Sequence, residues 1–252
     1  MKDRFRGKDF LTLMDYSPVE VSYMLDVAQE FKRMRMIKEP HDYLTGRTIA
    51  MVFEKHSTRT RFSFQAAIAH LGMQSFYSTP QTMQLARGEP IKDTARILDR
   101  YCDSLVIRTY GQDVVEEYAE YMTNPVINAL TDQYHPCQAL ADLLTIYEKK
   151  GELEGLTLAY VGDGNNVAHS LMLASALAGM NFRIASPTGY QVRDDLRRLA
   201  QGYAVESGVE IMCTEDPRQA VHEADIVYTD VWTSMGQESE SEKRRTAFAG
   251  YQ

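Results

Sequence analysis

The 252-residue chain has three cysteines, one tryptophan and no long apolar run. Its longest apolar stretch, Leu171 to Met180, is about half the length needed to span a bilayer. Cys102, Cys137 and Cys213 are scattered and form neither a C-x-x-C pair nor a disulfide framework, so a reducing compartment, the cytoplasm, is expected. The opening MKDRFRGKDF is charged and lacks the apolar centre of a secretory signal. Positive charge is also scarce. The 27 Lys and Arg face 35 Asp and Glu, for a net charge of −8, which excludes a general nucleic-acid-binding surface but leaves room for a local basic pocket. Hydrophobic content of 44% and charged content of 25% fit a globular chain of one large or two ordinary domains.

What the chain does have is alternation of short β-rich runs with longer helical patterns. TIAMVFE (Thr48–Glu54), MQSFYS (Met73–Ser78), SLVIRT (Ser104–Thr109) and PVINAL (Pro125–Leu130) read as strands. After a polar break, EKKGELEG (Glu148–Gly155), come LTLAYVG (Leu156–Gly162), NFRIASP (Asn181–Pro187), VEIMC (Val209–Cys213) and ADIVYTD (Ala224–Asp230). Helices fit between them, including Thr58–Leu71, Ile91–Tyr101, Val114–Tyr121, Pro136–Lys149 and Val192–Gly202. Continuous apolar strands alternating with helices imply an α/β fold of two domains, each a parallel sheet flanked by helices. The expected border is at 149/150, with the helix 136–149 bridging the two. After Asp230 the sequence is polar and charged with no further strand, so the second domain reads as unfinished.

The stretch Ser57–Arg61, STRTR, follows the first strand where a helix begins. Open α/β sheets bind ligands beyond the carboxyl ends of their strands. Cations at a helix N-terminus are repelled by the dipole at about 0.3–1 kcal/mol each, so Arg59 and Arg61 there imply an anion between them. Free N–H groups, the hydroxyls of Ser57, Thr58 and Thr60, and a guanidinium fork all suit phosphate. Phe62, Ala66 and Ala69 share one helix face and Phe64, Ile68 and Leu71 another, so this helix is expected to be well buried. The plain alternative has Ser57 capping the helix while the arginines pair with surface carboxylates; Arg61 in particular reads as structural. Arg108 ends a later strand at the same sheet edge. In DQYHPCQ, Pro136 suits the first helical position, which makes His135 the cap and puts Gln138 about one turn along the same helix end.

YVGDGNNVAHS has the strand, Gly162, Gly164 and helix of a dinucleotide-binding opening. Val167 stands where a third glycine belongs, and RIASPTGY offers no acidic residue for a ribose, so NAD is not expected. Asn165 and Asn166 present amides at the helix start, suited either to a polar ligand or to simple capping.

FEKHSTRTRFSF, MQLARGEPIKDTARIL, VIRTYGQ, HPCQALADLLTI, VGDGNNVAHS and DVWTSMGQE together resemble the aspartate/ornithine carbamoyltransferases over nearly the whole chain. Within that family, GDGNN with D-x-x-x-S-M-G points to ornithine as the second substrate. The resemblance implies a carbamoyl phosphate-binding domain over 1–149 and a Rossmann-like ornithine-binding domain over 150–252. It implies that Ser57, Thr58, Arg59 and Thr60 hold phosphate with Arg108. Thr58, Arg108 and His135 would polarise the carbamoyl carbonyl, and Gln138 would hold its amide. Gln84 would reach a neighbouring subunit's site, which implies a homotrimer or a multiple of trimers. Asn166, Asp230, Ser234 and Met235 would bind ornithine. The implied reaction gives citrulline and phosphate, with no metal or organic cofactor and no nucleic-acid or membrane partner. The family continues into a His-Cys-Leu-Pro motif and a terminal helix, so the ornithine site is expected to be incomplete here. Other readings are a carbamoyltransferase for putrescine or a modified ornithine, a non-catalytic carbamoyl phosphate-binding protein and, last, an NAD dehydrogenase.

Overall fold

The protein is described by a computed structural model covering residues 1–233 and 238–251. Two compact units divide the chain, one made of Met1–Asp15 and Tyr23–Cys137, the other of Tyr16–Ser22 and Gln138–Gln252.

In the first unit, β1 (Thr48–Phe53), β2 (Gln74–Ser78), β3 (Ser104–Arg108) and β4 (Val126–Leu130) form a parallel sheet in the order β2-β1-β3-β4. Successive side chains of β1 serve opposite cores. Ala50 and Val52 pack with Leu105, Ile107, Ala95, Val115 and Tyr118, while Ile49, Met51 and Phe53 pack with Val106 and Ile68. Both faces are therefore covered, which is why the run is continuously apolar. The helices that cover them are α2 (Arg59–His70), α3 (Ile91–Tyr101) and α4 (Gln112–Tyr121). Phe10 extends the sheet by bridging Ile127 beside β4.

Two expectations change here. Helix α2 is not buried all round: Phe64 and Ile68 face the sheet, whereas Phe62 is 65% exposed and Ala69 is also exposed. One layer of helix over one layer of sheet covers a single stripe, and apolar residues on the far side stay in solvent. A helix not anticipated from sequence, α1 (Pro18–Met36), precedes β1. Its start is a reciprocal cap: Glu20 accepts from the Ser17 backbone N–H (2.8 Å) and Ser17 Oγ accepts from the Glu20 N–H (3.3 Å).

The helix α5 (Pro136–Lys150) follows β4. In the second unit, β5 (Thr157–Val161), β6 (Asn181–Ala185), β7 (Ile211–Thr214) and β8 (Ile226–Tyr228) form a parallel sheet in the order β7-β6-β5-β8. Helix α6 (Asn166–Leu177) is buried at every position from Val167 to Leu177, in keeping with a sequence that is mostly apolar and carries no charged residue. Helices α7 (Asp194–Ser207) and α8 (Pro217–Val221) complete the crossovers. The polar tail is packed rather than loose: in α9 (Ser241–Ala247) Arg244 is buried, and Phe248 stacks on Trp232 with Tyr190 and Tyr251 at its edges.

Gly164 shows how tightly the turn after β5 is held. Its N–H donates to the Tyr190 carbonyl at 2.7 Å, and a Cβ at this position would lie 2.2 Å from the Val192 nitrogen. Backbone cannot yield as a side-chain tip can, so Gly164→Ala should cost about 1–3 kcal/mol. Gly202, inside α7 with open space around it, gives the opposite sign: Gly202→Ala should gain up to about 1 kcal/mol. Thermal melts of the two variants followed by circular dichroism check both signs.

Candidate active site

Strand order locates the site in the first unit. The connection from β1 runs to β2 on one side and that from β3 runs to β4 on the other, so the chain diverges between β1 and β3. A crevice opens at such a point beyond the strand carboxyl ends. Phe53 and Arg108 are register partners there, and the Glu54 N–H donates to the Arg108 carbonyl at 2.8 Å. Ser57–Arg61 leaves β1 on one side of this point and Arg108 ends β3 on the other.

Ser57 does cap the turn: its Oγ accepts from the Thr60 N–H at 3.2 Å. That hydroxyl does not explain the arginines. Arg59 is exposed and makes no ion pair among the described residues. Arg61 lies with its guanidinium 3.6 Å from the centre of the Tyr77 ring, the structural role its sequence position indicated. Arg108 is 4% exposed, donates through Nη1 to Thr60 Oγ1 at 3.3 Å, and has a buried Nε without a partner. Burial first, and then the Arg59 charge, hold its pKa below the usual arginine value. Two guanidiniums near each other without a carboxylate repel, a cost that an anion between them would offset.

His135, just before α5, belongs to the same field. Burial and then the Arg108 charge lower its pKa to about 4, so at neutral pH it is an uncharged imidazole. Thr58 is exposed and uses its carbonyl to accept from the Phe62 N–H. Ser57, Arg59, Thr60, Arg108 and His135 thus share one environment.

Gln84 lies apart from them. It is exposed on a 3-10 turn, Gln84–Arg87, and no hydrogen bond links its side chain to the cluster among the described residues. Gln138, on the first turn of α5, donates through Nε2 to Asp142 at 3.0 Å. Burial raises Asp142 to about 6, against hydrogen bonds from Gln138 and Tyr228, with Asp230 pushing it further up.

In the second unit the chain diverges between β5 and β8, and the turns after these strands carry the remaining candidates. Asn165 caps α6, its Oδ1 accepting from Val167 and Ala168, while its Nδ2 donates to Asp230 at 3.2 Å. Asn166 occupies the first helical position beside it. Asp163 is tied to Arg244 at 2.6 Å. Ser234 and Met235 lie outside the described residues.

Sequence reading missed Lys55 and undervalued Asn165. Asparagine ahead of an apolar helical run was the signal for Asn165. For Lys55 the only signal was its place two residues before Ser57.

The depressed His135 pKa has a linkage consequence. The unfolded chain takes up a proton near pH 6.5 that the folded chain refuses until about 4, so this residue destabilises the fold progressively as pH falls through that window. Asp142 acts in the other direction, since its folded carboxyl holds a proton up to about 6 against 3.8 unfolded. Between pH 6.5 and 4, His135→Gln should therefore gain stability relative to the parent as pH falls, measured by urea unfolding. Inorganic phosphate should raise the His135 pKa in an NMR titration, because an adjacent anion favours imidazolium.

A family model described as the aspartate/ornithine carbamoyltransferase carbamoyl-P binding domain matches residues 8–148, and the family's Asp/Orn binding domain matches residues 154–252. The chain is 53% identical over 249 residues to ornithine carbamoyltransferase of Anoxybacillus flavithermus, covering 99% of this chain and 79% of that protein. It is 50% identical over 246 residues to the anabolic ornithine carbamoyltransferase of Pyrococcus furiosus, covering 98% and 78%. The solved structure of a Pyrococcus furiosus ornithine carbamoyltransferase superposes with a TM-score of 0.93 over 96% of this chain and 77% of that one. Fold order, motif placement and these matches agree: the chain belongs to the aspartate/ornithine carbamoyltransferase family.

Proposed function

We propose that the chain transfers the carbamoyl group of carbamoyl phosphate to the δ-amine of L-ornithine, giving citrulline and phosphate. The observation that carries this reading is Arg108, a buried cation with an open Nε beside Thr60 and Arg59 and no carboxylate to pair with among the described residues. Ser57, Thr58, Arg59, Thr60 and Arg108 hold the phosphate. Thr58, Arg108 and neutral His135 donate to the carbamoyl oxygen. Gln138, whose amide N–H group is engaged by Asp142, keeps its Oε1 to accept from the carbamoyl amide.

The reaction needs little more than placement and charge. The uncharged δ-amine attacks the carbamoyl carbon, and the oxyanion that forms is stabilised by Arg108, His135 and Thr58. The carbon–oxygen bond to phosphate then breaks, and phosphate leaves with the amine proton. No side-chain nucleophile takes part, so positioning and electrostatics supply most of the rate. Asn166 and Asp230, with Ser234 and Met235, bind the α-amino and carboxylate groups of ornithine. Gln84 completes the site of a neighbouring subunit in a homotrimer or a multiple of trimers, which suits its exposed turn. The three free thiols suit the cytoplasm.

Citrulline formation from carbamoyl phosphate and L-ornithine tests the reading, with putrescine as the competing amine. Faster carbamoylation of putrescine would overturn the choice of acceptor. Arg59→Ala should weaken carbamoyl phosphate binding by about 10²-fold or more, as expected for loss of a charged hydrogen-bonding partner. Its melting temperature should not fall, because Arg59 is exposed, supports no ion pair among the described residues, and its loss relieves repulsion at Arg108. Unchanged affinity in calorimetry would remove Arg59 from the site.

A further inference from the structure

One buried cation lies close to the anion site and is not used by it. Lys55 is 6% exposed, although lysine is among the residues most rarely buried. Its Nζ donates to Asp132 Oδ1 and stands 4.4 Å from the centre of the Tyr110 ring. These three residues come from the three loops that make the site. Lys55 is two residues before Ser57, Tyr110 is two after Arg108, and Asp132 is three before His135. Tyr110 and Asp132 are also joined directly, the Asp132 N–H donating to the Tyr110 carbonyl at 2.8 Å. Beyond Asp132 the turn is closed by the Thr131 N–H donating to the Tyr134 carbonyl at 2.8 Å and by the Tyr134 N–H donating to Thr131 Oγ1 at 3.1 Å. A displacement of Asp132 is therefore passed through a short, hydrogen-bonded turn to His135.

The energetics argue against simple stabilisation. Asp132 has a side chain 66% exposed, so its half of the pair is well hydrated and the attraction is weakened by water. Lys55 has given up its hydration to reach it. A pair with one wet and one dry partner is a poor source of stability, but its geometry is well defined by the aromatic ring and the second hydrogen bond. We propose that Lys55 is a positioning residue: with Asp132 and Tyr110 it clasps the loops after β1, β3 and β4, and so sets the distance between the phosphate-holding turn and His135. This inference deepens the carbamoyl-transfer reading and rests on it for the role of His135.

The competing explanation is that Lys55 acts through its charge alone, adding to the positive field of Arg59 and Arg108. The two accounts differ in the sign of one variant. If field were everything, Lys55→Met would weaken inorganic phosphate binding while Asp132→Asn, which removes a negative charge, would strengthen it. The clasp requires the same direction from both. Each variant should lower kcat for citrulline formation by about 10- to 100-fold, the usual cost of misplacing a reacting group by about an ångström, and leave the Kd for inorganic phosphate within about threefold. The double variant should be no worse than Lys55→Met alone, since both remove one shared interaction. Lys55→Arg, which keeps a charged donor able to lie over the Tyr110 ring, should recover part of kcat.

The titration of His135, followed by NMR, reads the same event without turnover. His135 is faced by Arg108, whose charge lowers its pKa, so loss of Lys55 alone would raise it and loss of Asp132 alone would lower it by simple Coulomb effects. Release of the clasp hydrates the imidazole and should raise it in both variants. Opposite shifts, additive losses in kcat, or a collapse of phosphate binding in Lys55→Met would each overturn the proposal. A parent chain that makes no citrulline would overturn the transfer reading instead, and the imidazole shifts and phosphate affinities would still decide the clasp.

Discussion

The first unit is organised around a charge arrangement that its own residues do not neutralise. Arg108 ends a central strand inside the protein, Arg59 opens the neighbouring helix, and the Arg59 charge is felt at Arg108. Such an arrangement opposes folding unless the surrounding structure holds it rigidly, and the parallel sheet does so. Arg108 is fixed by β3, in register with Phe53, and the backbone beyond both strands is hydrogen-bonded. The apolar cores on the two faces of β1 therefore help to hold the two cations in place. Burial, and then the Arg108 charge, keep His135 unprotonated, which turns a potential third cation into a neutral hydrogen-bond donor.

The second unit solves a related problem with amides. At the start of α6, Asn165 divides its side chain between the helix cap and Asp230, so one amide ties the helix start to the turn after β8. Gly164 can approach the backbone of residues 191 and 192 because it has no Cβ, and Ser186 Oγ donates to the Gly162 carbonyl at 2.7 Å. The turn that resembles a dinucleotide loop is thus closed by hydrogen bonds to its own backbone and to Asp230.

Much of this was legible in the chain. The eight β-rich runs read from sequence each overlap a strand: the central strands are continuously apolar because both their faces are covered, and all eight runs are bounded by polar turns. STRTR and Arg108 stood out as cations at a helix start and at a strand end, and His135 as the residue ahead of a proline at a helix start. What stayed hidden depended on partners distant in sequence. Lys55 looks like an ordinary surface lysine until the fold brings Asp132, 77 residues away, against it. The outer face of α2 looked like core because periodicity shows that a stripe is apolar and not whether anything covers it. Helix α1 was missed although Ser17 and Glu20 spell a capping box, since its apolar residues fall on more than one face: Val21, Leu25 and Met34 are buried, whereas Val19 and Met36 are exposed.

The thiol inside the HPCQ segment has a consequence of its own. Cys137 donates to the Asn128 carbonyl, and desolvation pushes its pKa up to about 12; Cys102 and Cys213 are also raised by burial. Oxidants and alkylating reagents attack the thiolate, and almost none is present at Cys137 near neutral pH. The thiol of the HPCQ segment is thereby held in its neutral, weakly nucleophilic form near neutral pH.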